Sequence, residues 1–128
     1  MIIPCELASR TIVPTVRAMI AKELSVSYKM KQDDIAFSLG ITQSAVSQYL
    51  GNIRGKTLNL DHLDEVRSEI REIALVVTSN SDTKLMCQKC CKICKIIREK
   101  RLLCEFHSRL DPSFSSSDCN VCIYNLCP

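Results

Sequence analysis

Nine of the 128 residues are cysteine, and eight of the nine fall between Cys87 and Cys127. Written as spacings, this segment reads Cys87-x2-Cys90, Cys91-x2-Cys94, Cys104-x2-His107, Cys119-x2-Cys122 and Cys127-Pro128. Thiols two residues apart can turn both sulfurs toward one ion, where thiolates that would otherwise repel and oxidise become stable ligands of zinc or iron. An odd number of cysteines and the adjacent Cys90-Cys91 argue against a disulfide framework, and a reducing compartment favours metal use of such pairs. The segment also has few large apolar residues, chiefly Ile93, Ile96, Ile97, Leu102 and Leu103, so a bound metal is expected to help it fold. A [4Fe–4S] cluster is the favoured group, because thiols are in surplus and the Cys127-Pro128 ending resembles that of ferredoxin-type runs. Structural zinc is the alternative: Cys91-x2-Cys94 followed by Cys104-x2-His107 is a common ligand arrangement, although zinc knuckles usually turn on glycine and residues 56–128 contain none. The first-choice ligands are Cys91, Cys94, Cys104, Cys119 and Cys122, followed by Cys87, Cys90, Cys127 and His107. Cys5 stands apart and is expected to pack as a small hydrophobe.

A second chemistry lies in residues 32–50. Ala36, Gly40 and Thr42 stand where two short helices crossing at a tight turn need a small residue, a left-handed residue and a helix cap. Ile35, Leu39, Ile41, Val46 and Leu50 supply a shared core. Gln43, Ser44, Ser47 and Gln48 are left outward on the second helix, with side chains suited to base edges in a major groove; each glutamine can bond an adenine edge bidentately. Arg54 and Lys56, just beyond, are placed for phosphates, which set affinity without reading sequence. The pattern is that of a helix-turn-helix. A helical hairpin that binds protein is the other use of the same pattern.

Both chemistries need helices to position them. Val13, Val16, Ile20 and Leu24 recur at helical spacing and predict a first helix from Leu7, with Pro14 in its first turn or at a kink. A turn over Ser25–Met30 leads to helices over Gln32–Leu39 and Gln43–Leu50, the latter with Ala45, Val46 and Leu50 inward. Leu60, Leu63, Val66, Ile70, Ile73 and Val77 then form the apolar stripe of a long amphipathic helix. Its length beyond one small core suggests pairing with a second protomer, matching the two-fold symmetry of operators. Ser79-Asn80-Ser81-Asp82 is the expected hinge. The fold class is therefore all-α: a DNA-binding and dimerisation domain over residues 1–82 and a small cysteine-rich metal-binding domain over residues 83–128.

Charge follows the same division. Residues 1–57 carry +3, residues 58–83 carry −4 and residues 84–128 carry +4, within a total of +3. An acidic middle suits a spacer that stays off a polyanion, and the modest total suits a homodimer that doubles its phosphate contacts. Lys92, Lys95 and Arg98 form a basic face able to offset the charge of a thiolate-bound metal. The longest apolar run, Ile73 to Val77, is far too short for a bilayer span, and the opening residues lack a signal-peptide pattern, so a cytoplasmic protein with no membrane association is expected. Gly40, Gly51 and Gly55 cannot make a phosphate-binding loop as placed, and no enzyme motif is present.

Residues 1 to about 78 resemble the XRE-type (lambda-repressor-like) helix-turn-helix of a group of predicted archaeal transcriptional regulators. Pro4-Cys5-Glu6-Leu7-Ala8-Ser9-Arg10, Val13-Pro14-Thr15-Val16-Arg17 and Ile41 to Leu50 carry the resemblance. The opening is also similar to that of archaeal thiamine-biosynthesis regulators, whose large effector domain has no counterpart here. The resemblance implies a double-stranded operator as partner. The cysteine segment implies a sensor of redox state, oxygen or iron.

Overall fold

The computed structural model describes residues 1–80, 82–113 and Val121. Among these residues six α-helices and no strand occur: α1 Pro4–Ser27, α2 Gln32–Leu39, α3 Gln43–Leu50, α4 Asp64–Ser79, α5 Thr83–Glu99 and α6 Cys104–Leu110. The all-α expectation holds for them. No helix among the described residues is long and apolar enough to cross a membrane.

Helix α1 starts earlier than Leu7. Pro4 opens it, at a position where the missing N–H costs no hydrogen bond. Pro14 lies in its interior, not in its first turn, and removes one rung of the ladder at a typical cost of about 3 kcal/mol. Packing on both sides of that proline offsets the loss: Leu7, Ile12, Val16, Ile20 and Leu24 are all buried. Thr11 and Thr15 are buried too, and their hydroxyls donate to the carbonyls of Leu7 and Thr11, each at 2.8 Å, so neither is left unsatisfied. Val13, expected on the apolar face, is exposed.

The turn between α2 and α3 follows the local chemistry. Gly40 takes φ +66°, its N–H donates to Phe37 and that of Ile41 to Ala36, which together form a Schellman ending. Thr42 Oγ1 then accepts from Ala45 N at 3.0 Å and caps α3. Inside α3 the large buried residue is Tyr49, with Leu50 half-buried, a shift of one position from the sequence expectation. Tyr49 shares its face with Ala45, four residues back, and that face meets α1.

Leu60 and Leu63 precede α4, which begins at Asp64. Leu58 and Leu60 are nevertheless buried, anchoring the irregular segment after α3. The α4 stripe of Val66, Ile70, Ile73, Ala74 and Val77 is buried between α1 and α5 of the same chain. That overturns the expectation that its surplus length faces a second protomer. Ile93, Ile97 and Leu103 join this same core, so apolar packing is continuous across residues 82 and 83.

Charge pairing reinforces the α4–α5 contact. Glu69 is buried, with Lys92 Nζ at 2.6 Å from Oε1 and Lys89 Nζ at 3.8 Å from Oε2; Lys89 also reaches Glu72 at 2.6 Å. Its hydrogen bond to Glu72 raises the Lys89 pKa, and the same bond lowers that of Glu72. The acidic middle segment and the basic segment that follows are thus partners within one chain.

Candidate nucleic-acid interface and thiol face

Helix α3 presents Gln43, Ser44 and Ser47 fully to solvent and Gln48 partly, while Ala45, Val46 and Tyr49 hold it against α1 and α2. Gln43 Nε2 donates to Gln32 Oε1 at 2.5 Å. A primary amide carries two N–H groups and a carbonyl oxygen. One N–H spent on Gln32 still leaves Gln43 a donor and an acceptor for an adenine edge, now with its rotamer held. Gln32 was not among the expected site residues. What could have revealed it is its place eleven residues before Gln43, at the start of α2, which a tight helical hairpin returns to the start of α3.

The loop after α3 is bound to that helix. Ile53 N and Arg54 N donate to the carbonyl of Gln48 at 2.9 and 3.3 Å, and Gly51 N to that of Ser47 at 2.9 Å. Arg54 lies over the Tyr49 ring at 5.4 Å from its centroid, so a cation–π contact orients a side chain that remains exposed. Lys22 Nζ donates to Asn52 Oδ1 at 2.5 Å and adds α1 to the same margin. Gly55 takes φ +80° where the loop meets α1. A Cβ there would lie 2.7 Å from both the Ala18 Cβ and the Pro14 carbonyl oxygen. Lys22 and Lys56 line one open cleft of about 270 Å³ beside this contact.

The cysteines occupy a different face. Cys87, Cys90, Cys91 and Cys94 all stand on the uninterrupted α5, not on a knuckle between strands or turns. The Asp82 side chain accepts from Leu85 N and caps that helix. Cys87, Cys91, Cys94 and Arg98 follow steps of four, three and four, so they form one stripe along it. Cys90 and Cys94 are half-buried against the core, whereas Cys87 and Cys91 are exposed. Burial raises the Cys90 thiol to about 11, reinforced by Cys87 and Cys91 and opposed by Arg17 of α1. Burial also raises Cys94, although the Arg98 guanidinium donates to its sulfur and favours the thiolate. Arg98 is itself buried, and Lys92 is paired with Glu69, so the basic face expected from Lys92, Lys95 and Arg98 does not exist as one surface.

Cys104 is half-buried at the start of α6. His107 is buried, with Nε2 2.7 Å from the Ile2 carbonyl oxygen; this nitrogen joins α6 to the chain's N-terminus. Asp111 acts likewise, accepting from Ile2 N at 3.3 Å. Cys5, expected to pack inward, is exposed in the first turn of α1. Cys119, Cys122 and Cys127 lie outside the described residues. Among the described residues no three cysteines, histidines or carboxylates converge as a metal site. The thiols of α5 supply pairs of donors suited to zinc or an iron–sulfur cluster, but the described residues do not complete a shell for either.

No protein-family model matches this chain, and no curated protein or solved structure matches it.

Proposed function

We propose that the chain is a sequence-specific DNA-binding transcriptional regulator, with α3 as its reading helix and Gln43, Ser44, Ser47 and Gln48 as its base-contacting residues. The observation that carries this reading is the α2–α3 pair: a Schellman turn at Gly40, a capped α3 and an outward face made only of short amides and hydroxyls, one of them pre-set by Gln32. Arg54 and Lys56 belong to the phosphate-binding margin, joined by Lys22 through Asn52. A homodimer would double the contacts available to a chain of net charge +3. Its interface would lie elsewhere than the α4 stripe, which α1 and α5 already cover.

The test is selection of duplex DNA from a random pool, followed by binding of variants to the selected site. Gln43→Ala should weaken the selected site by roughly 1–3 kcal/mol and relax preference at one base pair. Arg54→Ala should weaken selected and random DNA alike and lower the salt slope by about 1. Equal losses on both DNAs for Gln43→Ala would remove it from base readout, and failure of the pool to converge would refute the function.

The thiol segment is proposed to sense redox state, oxygen or iron through a metal centre, with a [4Fe–4S] cluster preferred to structural zinc. Cys91 and Cys94 would be joined by thiols such as Cys104, Cys119 and Cys122. Support comes from the donor chemistry and the shared helical stripe. Anaerobic purification with elemental analysis and a visible spectrum decides: iron with sulfide supports the cluster, zinc without colour the staple, and neither refutes both.

A further inference from the structure

Two of the α5 thiols are exposed and stand one helical turn apart. Cys87 and Cys91 are four residues apart on an uninterrupted helix, so they project from the same face. Cys90 and Cys94 are half-buried against the core, which leaves Cys87 and Cys91 as the α5 pair most open to solvent. The other residues three or four positions from either exposed thiol are Thr83, Lys84, Gln88 and Lys95. None of them is a carboxylate or a histidine, and Lys84 and Lys95 are both exposed.

The spacing selects the chemistry. Side chains four apart on an α-helix have Cβ atoms about 5–6 Å apart. A disulfide needs about 3.5–4.5 Å, so this pair cannot close on itself without unwinding α5. An ion between the two sulfurs fits the same spacing, because two collinear metal–thiolate bonds of about 2.3 Å span about 4.6 Å. Zinc and an iron–sulfur cluster each call for four donors. Among the described residues no third cysteine, histidine or carboxylate converges with the pair. Two donors suffice for a soft ion with a filled d shell and a single positive charge, the kind that thiolates select. Two thiolates on such an ion leave a charge of −1, which Lys84 and Lys95 offset.

We propose that Cys87 and Cys91 form a two-coordinate site for monovalent copper on the exposed face of α5. Two S–H bonds break, two Cu–S bonds form and two protons pass to solvent, with no electron transferred. The site takes no ligand from the residues after α6 and needs neither iron nor sulfide. It is therefore separate from the metal centre proposed above, with which it competes for Cys91.

For the test, the full chain is reduced, freed of metal with a chelator and given one equivalent of Cu(I) without oxygen, beside a competing Cu(I) chelator that reports affinity. A short alkylation of the folded chain and tryptic digestion then locate the ion. Cys87 lies in the fragment Leu85–Lys89, Cys91 in Cys90–Lys92 and Cys94 in Ile93–Lys95. Fragment sequencing should show copper protecting Cys87 and Cys91, with labelling of Cys5 and Cys94 as in the metal-free chain. Cys87→Ser and Cys91→Ser should each weaken binding by about 100-fold or more, since the second thiolate of a tethered pair acts at high effective concentration. Cys94→Ser should leave affinity unchanged. Adding Lys84→Cys to Cys91→Ser rebuilds a pair three residues apart and should restore binding, which separates loss of a ligand from loss of fold. Protection of Cys91 together with Cys94, protection confined to Cys119, Cys122 or Cys127, or parental affinity in Cys87→Ser would overturn the proposal. Iron, sulfide and DNA take no part, so the outcome is independent of the proposed cluster and of operator binding.

Discussion

Gly40→Ala and Gly55→Ala make the same chemical change in two different surroundings. Both glycines have positive φ, +66° and +80°, so each alanine carries the left-handed backbone penalty of roughly 1–2 kcal/mol. At Gly40 nothing lies within 4 Å of the added Cβ, and the cost stops there. At Gly55 the added carbon meets the Ala18 Cβ and the Pro14 carbonyl oxygen, both at 2.7 Å, about 1 Å inside ordinary contact. Neither neighbour can swing away: one is the first atom of a buried side chain and the other is helix backbone. Overpacking of this kind adds about 1–3 kcal/mol, for a total of roughly 2–5 kcal/mol against a typical global stability of about 5–15 kcal/mol. Urea unfolding followed by helical circular dichroism should therefore show Gly55→Ala with a clearly lower midpoint than Gly40→Ala at unchanged slope. Adding Ala18→Gly should recover part of the Gly55→Ala deficit and none of the Gly40→Ala deficit, because only one of the two obstructing atoms is removed. If Gly55→Ala cost no more than Gly40→Ala, the loop carrying Arg54 and Lys56 would not be clamped to α1. The loop would then be held only by its hydrogen bonds to Gln48 and the contacts of Arg54 and Asn52.

Alkaline stability gives a second check. Cys90 is raised in the fold from 9.0 to about 11, so folding favours its protonated form; that contribution is complete below about pH 9 and disappears as pH rises to about 11. Cys90→Ala should flatten the loss of stability between those values by at most about 2 kcal/mol in pH-dependent urea melts. Glu69→Ala should destabilise by about 1–3 kcal/mol, since it removes the buried partner of Lys92 and Lys89; Lys92→Ala should cost less, because Lys92 is mostly exposed. The same melts, at low and at 1 M salt, should show the Glu69→Ala deficit persisting more strongly than that of Lys92→Ala. Thr42→Ala should cost about 1 kcal/mol through loss of the α3 cap, with the melt as readout.

The α2–α3 hairpin was legible because its signals are local. Gly40 and Thr42 each act within four residues, and the structure uses them as a turn and a cap. The choice between Tyr49 and Leu50 was not local: both are apolar, and only the way α3 meets α1 decides which is buried. Similarly, the stripe from Val66 to Val77 announced that α4 needs a partner without saying which. Its charges held more information than its apolar residues. Glu69 and Glu72 step by three, as do Lys89 and Lys92, and two helices with matched steps of opposite charge are natural neighbours. The paired cysteines left their placement open for a related reason, since a spacing of three suits a metal-binding turn and one face of a helix equally well.

Helix α5 thus has three flanks with different tasks. Ile93 and Ile97 enter the core, Lys89 and Lys92 fasten it to α4, and Cys87, Cys91 and Cys94 line a third side, with Cys87 and Cys91 exposed. Helix α1 in turn packs on α3 and carries the loop that holds Arg54. A covalent or metal bond on the thiol flank that displaced α5 would act on one core with α3, because Ile93 and Ile97 share it with Val46 and Tyr49. The sequence order separates α3 and the thiol segment by more than thirty residues, but α1 packs on both α3 and α5. Coupling through this route requires that α1 adopt two distinct arrangements, since a rigid helix would transmit strain without switching. Hydrogen exchange can detect that choice. Thiol oxidation should change amide protection in α1 near Thr15 and Ala18 and in the loop at Gly55, while protection changes confined to α5 and α6 would show that the thiol face and α3 do not communicate.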